Sequence, residues 1–421
     1  MDRNETTTVA VSGGGPAGIM LGLLLARAGV EVTVLEKHGD FLRDFRGDTV
    51  HPSTLETLDE LGLGGQIDRI PHRKLHRLTI GSPEQPFVNG DLAKLPGRYK
   101  HIAMIPQWDF LTMLTEHAAR YPGFRLRMNA KSTGLLDEGG ATRGLVYEDA
   151  EGSHELRAVL TVSAEGRDSA LRDAAGLTPV NLGAPIDVLW LQVSRRPDDP
   201  DGLNGRLGSG AMVVAVDRGD YWQLAYLIPK GGIEQVKADG IKVFQDRLVE
   251  LLPFLDGRVT EEVHSFDRVA FLNVELNRLP TWHRAGFLAI GDAAHAMSPV
   301  GGVGINLAVQ DAVATANLLA ERLHDAQGHP DRFTRTLNPD LLAQVRRQRW
   351  TPTVGTQAIQ RLIQTQVLER ALLRGGGMAA LPAPLRAVAG SRAWSSFIAR
   401  SMVYGIRPEH VRSPERPVPR G

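Results

Sequence analysis

At 421 residues the chain is too long for one small core, so two domains with a terminal extension are expected. Its hydrophobic (42%) and charged (23%) fractions are those of ordinary soluble globular proteins. The 48 basic residues equal the 48 acidic ones, which argues against a nucleic-acid partner, and the absence of cysteine excludes disulfides, thiolate metal sites and a cysteine nucleophile. A cysteine-free chain fits a reducing, cytoplasmic setting. The polar start, residues 1–8, passes at once into an apolar strand, so no signal peptide is expected. No uninterrupted apolar run of about 18 residues exists, so no transmembrane helix is expected either.

In chain order, residues 7–12 (TTVAVS) read as a short buried strand ended by a glycine cluster. Residues 16–28 read as a helix packed on both sides, with Gly29 as its stop, and residues 30–35 as a second strand ending on Glu36. This strand–helix–strand unit of about thirty residues has the order of a dinucleotide fold. A polar loop then leads to a helix over residues 53–61, with Ser53 as N-cap. Residues 74–99 read as irregular, residues 108–121 as an amphipathic helix, and short strands follow near 125–128, 132–137, 143–148 and 159–163.

From residue 185 to 270 the pattern changes to alternating runs at 187–193, 211–216, 221–228 and 263–269, interrupted by a helix over 233–252. That is the signature of a separate antiparallel layer. A parallel-type apolar run returns at 287–290, followed by a helix over 304–323, and the chain reads helical beyond about residue 344.

Two constellations carry chemistry. In the first, Gly13, Gly15 and Gly18 follow the first strand as Gly-x-Gly-x-x-Gly, with Pro16 and Ala17 opening the helix. The first glycine permits the tight turn, the second lets the backbone approach a pyrophosphate, and the third lets helix and strand pack. The helix N-terminus offers free N–H groups to the phosphates. Glu36, 18 residues beyond Gly18 and followed by Lys37, is placed to accept bonds from a ribose 2′-OH. A flexible turn with a solvated acid is the plainer alternative, which the strand–helix–strand–acid context disfavours. A carboxylate there also disfavours a 2′-phosphate, leaving FAD or NAD. In the second constellation Asp292 follows the apolar run 287–290, and Pro299, Gly302 and Gly304 lead into a helix that begins with Ile305 and Asn306.

This second string, Gly291-Asp292-Ala293-Ala294-His295 with Pro299-x-Gly301-Gly302-x-Gly304-x-Asn306, resembles the aromatic-hydroxylase branch of FAD-dependent monooxygenases, of which para-hydroxybenzoate hydroxylase is the model member. The resemblance spans residues 7–323. It implies a Rossmann-like α/β FAD-binding domain with an inserted antiparallel β-sheet substrate domain and C-terminal helices. On that reading the FAD-binding domain comprises residues 1–73, 101–180 and 281–344, the substrate domain 74–100 and 181–280, and a helical cap 345–421.

The resemblance assigns Asp292, Pro299, Gly302, Gly304, Ile305 and Asn306 to the flavin half of FAD, several through backbone groups. A helix N-terminus there suits the negative charge of reduced flavin. It places Arg46 and Gln107 on the cofactor and Ser132 near the adenine. The family's Asp-Gly pair, which helps bind FAD and the pyrophosphate of NAD(P)H, is here Glu165-Gly166. The implied chemistry is hydroxylation through a flavin C4a-hydroperoxide, with NAD(P)H as a transient reductant and O2 as co-substrate.

Trp190, Gln192, Met212, Tyr221 and Trp222 are candidate lining residues of the substrate pocket, each with core packing as the alternative. No basic pair stands out on these strands, so a neutral, larger aromatic or polyketide-like substrate is expected over an aromatic carboxylate. The expected partners are this small molecule and O2, with the chain a monomer or homodimer.

Competing readings are a flavin dehydrogenase or double-bond reductase, a flavin-dependent halogenase using Lys74, and a non-enzymatic flavin-holding protein. The halogenase string Trp-x-Trp-x-Ile-Pro is absent; residues 224–229 read LAYLIP. The 13 histidines show no His-Glu-x-x-His metal spacing, and no Gly-x-Ser-x-Gly elbow occurs. His295 is read as packing beneath the flavin loop. Residues 361–412 carry eight arginines, two glutamates and no lysine, with Trp394, Phe397, Ile398 and Met402 at helical spacing. A cap on the flavin domain is favoured there over a membrane-surface or partner helix.

Overall fold

The computed structural model describes residues 4–42, 49–81, 86–200, 202–208, 211–329, 335, 337–365 and 391–417. The strand Asn4–Ser12 pairs in parallel with Val32–Leu35 on one side and Gly152–Ser163 on the other. Phe124–Arg127 and Phe287–Ala289 extend the parallel row outward at its two ends. His283–Arg284 and the hairpin strands Lys131–Glu138 and Ala141–Asp149 add antiparallel pairs to make eight strands. The inner stretches 7–12, 32–35, 158–163 and 287–289 are buried on both faces, whereas the outer strand Phe124–Arg127 is only partly buried and carries two arginines. The helix Pro16–Arg27 packs on this sheet beside the helix Gly304–Gln327, and its residues Ala17 to Ala26 are all buried.

A second sheet runs in the order Ala270–Leu272, Ile186–Ser194, Tyr221–Pro229, Ala211–Asp217, Leu203–Gly208, Arg77–Gly81 and Pro86–Asp91. One face packs on the helix Ile241–Leu251 through Trp222, Leu224 and Tyr226 against Phe244 and Leu248. The other face turns toward the loop that precedes the helix Gly304–Gln327, with Val188, Met212 and Leu227 packed beside Met297 and Val303.

Several local expectations are corrected. The helix expected from Ser53 is Pro52–Glu60; His51 occupies the cap position and Pro52 the first helical one, where a missing N–H costs nothing. The region 74–99 contains strands belonging to two sheets. The single helix over 233–252 is two, Ile233–Asp239 and Ile241–Leu251, broken at Gly240 with φ 88°. In place of a strand over 263–269 there is a 3-10 turn, Phe266–Arg268, followed by the short strand Ala270–Leu272. Among the described residues no helix is long and apolar enough to cross a membrane.

Candidate active site

Four parallel strands end at one edge, delivering Gly13, Glu36, Glu165 and Asp292 to a common crevice, where open α/β sheets hold ligands. A cavity of about 750 Å³ begins there and continues to the face of the second sheet. Gly13, Gly15, Pro16, Ala17, Glu36, Lys37, Gln107, Ser132, Glu165, Asp292, Pro299, Gly302, Gly304 and Ile305 all line it. Arg46 lies outside the described residues.

The glycine turn behaves as its chemistry requires. Gly13 has φ 109°, and a Cβ there would sit 2.3 Å from the Ala164 carbonyl oxygen. A Cβ on Gly18 would lie 1.9 Å from the Gly13 oxygen, so Gly18 serves close packing and does not face the cavity. Gly15 differs: beyond its own chain neighbours nothing lies within 4 Å of its Cβ position, and the residue lines the cavity. The helix Pro16–Arg27 starts there without a side-chain cap, and so does the helix Gly304–Gln327. Two uncapped N-termini on one cavity leave backbone N–H groups for an anionic ligand.

Glu36 Oε2 accepts from Gly14 N at 2.9 Å and Oε1 from His38 N at 3.0 Å. These bonds fix the carboxylate while leaving it acceptor capacity for hydroxyls. Glu165 works inward: its carboxylate accepts from Ser169 Oγ (2.6 Å), Leu171 N (3.0 Å) and Ser163 Oγ (3.2 Å). Ser12 Oγ lies 2.7 Å from Ser132 Oγ and 3.1 Å from Glu165 Oε1, joining Ser132 to this hub. Asp292, part-exposed, is 3.4 Å from Arg167 Nε. FAD fits this arrangement: an open glycine turn, a fixed acid at one end, and an uncapped glycine loop at the other.

The Asn306 side chain is turned into the protein. Its Oδ1 accepts from His51 N and Thr54 Oγ1, both at 2.8 Å, and its Nδ2 donates to the Thr49 and Gly302 carbonyls. It pins the glycine loop and is not among the residues lining the cavity. Of the five pocket-lining candidates, Trp190 and Met212 line the cavity. Trp222 lies on the opposite face, fully buried, and donates from Nε1 to Asp199 Oδ2 at 2.7 Å. Gln192 and Tyr221 share the cavity face by parity, but they sit beyond its end; Gln192 is exposed and Tyr221 half-buried. Lys74 is also exposed, bonded to Asp68 at 2.9 Å, and does not reach the cavity.

Sequence reasoning missed a set of buried polar side chains beneath the segment from residue 291 to 304. Gln360 Nε2 donates to the Ser298 and Val300 carbonyls at 2.9 and 2.8 Å, and Asp311 accepts from Gly291 N at 3.0 Å. Asp311 also binds His295 Nε2 at 2.6 Å and Arg349 Nε at 2.9 Å, so His295 is a packing residue as read. A polar stripe at Thr353, Gln357, Gln360 and Gln364 within a helical segment was the available signal. The C-terminal segment completes the cavity wall with Ile398, Met402 and Val403, while Phe397 is half exposed.

His51 stands where the glycine loop meets this C-terminal segment. Burial lowers its pKa to about 4, against opposing contributions from backbone groups of Met402, Val403 and Gly301. Between its ordinary value of 6.5 and about 4, the unfolded chain binds a proton that the folded protein refuses. Stability from this group is therefore present above pH 6.5 and is lost as pH falls to about 4, by roughly 3 kcal/mol. Urea midpoints of wild type and His51→Asn across this range should diverge, the variant losing less on acidification; parallel curves would refute the assignment.

A family model described as FAD binding domain matches residues 6–332. The chain is 32% identical over 414 residues to 6-methylpretetramide 4-monooxygenase of Streptomyces rimosus, covering 97% of this chain and 94% of that protein. It is 24% identical over 334 residues to para-nitrophenol 4-monooxygenase of Pseudomonas sp. (strain WBC-3), covering 74% and 77% respectively. Among solved structures, anhydrotetracycline hydroxylase from Streptomyces rimosus shares the fold with TM-score 0.74 at 21% identity, covering 98% of this chain and 78% of that one. The protein is accordingly a flavoprotein oxidoreductase and belongs to the FAD-dependent aromatic hydroxylases, the class A flavoprotein monooxygenases.

Proposed function

We propose that this protein is a monooxygenase that hydroxylates an aromatic, polyketide-like small molecule, with NAD(P)H as reductant and O2 as co-substrate. The observation that carries this is the continuity of the cavity: the crevice fitted to FAD opens directly into a chamber under the second sheet. The chamber walls are apolar, including Ile186, Val188, Leu203, Leu207, Val214 and Leu227, as a multi-ring substrate requires. The 32% identical relative named for a pretetramide supports the same class.

In this reading residues 74–100 and 181–280 form the substrate domain. Gly13, Gly15, Pro16 and Ala17 hold the pyrophosphate, Glu36 the ribose, and Asp292 the ribityl chain. The loop from Pro299 to Ile305 meets the pyrimidine edge. Bound FAD supplies the oxygen activation and the electron transfer from NAD(P)H. The chain's own part is to orient the rings, through packing on the sheet, and to exclude water with Ile398, Met402 and Val403.

Purified protein is expected to be yellow, and Asp292→Ala to lose most of its flavin. An aromatic polyketide should stimulate NAD(P)H oxidation and gain one oxygen atom from ¹⁸O2. A colourless wild type that FAD cannot reconstitute would overturn the reading. Stimulated oxidation without isotope incorporation across a broad panel would move it to the reductase class.

A further inference from the structure

Four of the chain's nine methionines line one chamber: Met104, Met212, Met297 and Met402. All four are buried, and each comes from a different element. Met212, Met297 and Met402 pack in a single cluster, together with Val303 and Leu227. Met402, in the helical turn Ala399–Tyr404, lies against the glycine loop: a Cβ on Gly301 would meet its Cε at 2.8 Å. Met104 arrives from a third sheet. Its pairing partner there is Thr49, whose Oγ1 donates to the Gly302 carbonyl at 2.8 Å. The methionines therefore border the end of the chamber where the segment from residue 297 to 304 meets it.

Elsewhere the wall is made of branched aliphatic side chains such as Ile186, Val188, Leu203, Leu207 and Val214. Among the described lining residues Trp190 is the one aromatic carbocycle. Branched aliphatic side chains are stiff, and their contacts reward apolar area alone. A flat aromatic ring and a saturated ring of equal area are alike to them. A thioether distinguishes the two. Its polarizable sulfur makes a favourable contact with an aromatic ring at about 5 Å, and its unbranched chain turns about three bonds to follow the ring's outline.

We propose that Met104, Met212, Met297 and Met402 are the specificity-determining residues of the chamber. They select flat aromatic rings over saturated rings of the same size, and they accept more than one ring outline beside the glycine loop. This rests on the monooxygenase reading for which ring is attacked, but the selection itself needs no reaction. Positions 104, 212, 297 and 402 share no element, so inspection of one strand or helix at a time does not bring them together.

The test is calorimetric titration of the FAD-supplemented protein with three neutral probes that carry the same polar handle. These are 2-anthracenemethanol, 2-phenanthrenemethanol and the perhydro derivative of the first. Wild type should bind both aromatic probes within about threefold of each other, and about tenfold tighter than the saturated one. Replacing all four methionines by leucine, which nearly conserves volume, should cut that preference to about twofold or less. Should the quadruple variant fail to unfold cooperatively, Met212→Leu and Met297→Leu decide, each lowering the preference about twofold. Leu227→Met adds a thioether beside Met212 and should raise the preference by about the same factor. Wild type without a preference for the aromatic probes overturns the proposal, as does a preference that survives the leucine replacements. A fall in Leu227→Met parallel to that in the leucine variants also overturns it, because shape and not sulfur would then be read. A protein that shows the preference but incorporates no oxygen keeps this assignment and loses only the monooxygenase reading.

Discussion

A Gly15→Val variant folds like the parent protein and loses FAD. Beyond its own chain neighbours the Gly15 Cβ position meets nothing within 4 Å, and Gly15 lines the cavity, so the added side chain projects into ligand space. It lands where a pyrophosphate must approach the backbone, and the overlap should weaken FAD binding about a hundredfold, near 3 kcal/mol. Urea unfolding of the apo-protein should stay within about 0.5 kcal/mol of wild type, as for a substitution that touches nothing. Gly13→Ala behaves in the opposite way. Its φ of 109° and the 2.3 Å approach to the Ala164 oxygen strain the fold itself, so the apo-protein should lose several kcal/mol. Gly15→Val binding FAD at wild-type affinity would mean that the cofactor does not cross this turn.

Removing Asp311 should be the most damaging single change to the fold beneath the segment from residue 291 to 304. Burial works to raise its carboxyl, but the His295 and Arg349 contacts outweigh burial and hold it below the ordinary carboxylate range. Asp311→Ala would leave the buried Arg349 guanidinium without this partner and the Gly291 N–H without an acceptor. Breaking one side of a buried pair costs about 3–5 kcal/mol. The damage should reach the cofactor as well, because Gly291 adjoins Asp292. FAD release at a denaturant concentration that wild type tolerates is the expected readout. The double variant Asp311→Leu with Arg349→Met should recover much of the loss, since apolar replacement of a whole buried pair is often neutral. If the double variant is as unstable as the sum of the single changes, the pair is not the unit that holds this loop.

How much of this was legible before the structure depends on whether a function sits in contiguous backbone or in the far side of a packed face. The glycine turn, Glu36 and the Asp292 string are local. Each is a matter of backbone geometry or of a residue at the end of its own strand, so spacing alone exposes its place in the fold. The substrate side is different. Every residue from Trp222 to Ile228 is buried, because one face packs on a helix and the other lines the chamber. Alternation then carries no polarity contrast, and nothing in the string tells Trp222 from Gln223. At Asn306 the string does not show that the side-chain amide closes four bonds inside the protein.

From residue order alone came the glycine turn, the acid that ends the second strand, the glycine loop that opens a late helix, and a separate antiparallel layer. These follow from what backbone and propensity allow over a few neighbouring residues. Tertiary structure alone decided which strand face lines the chamber, that residues near 75, 104, 218 and 402 share one cavity, and that Asp311 and Gln360 brace the loop from below. Such contacts join segments hundreds of residues apart, and only the packing of whole sheets and helices determines which side chains meet.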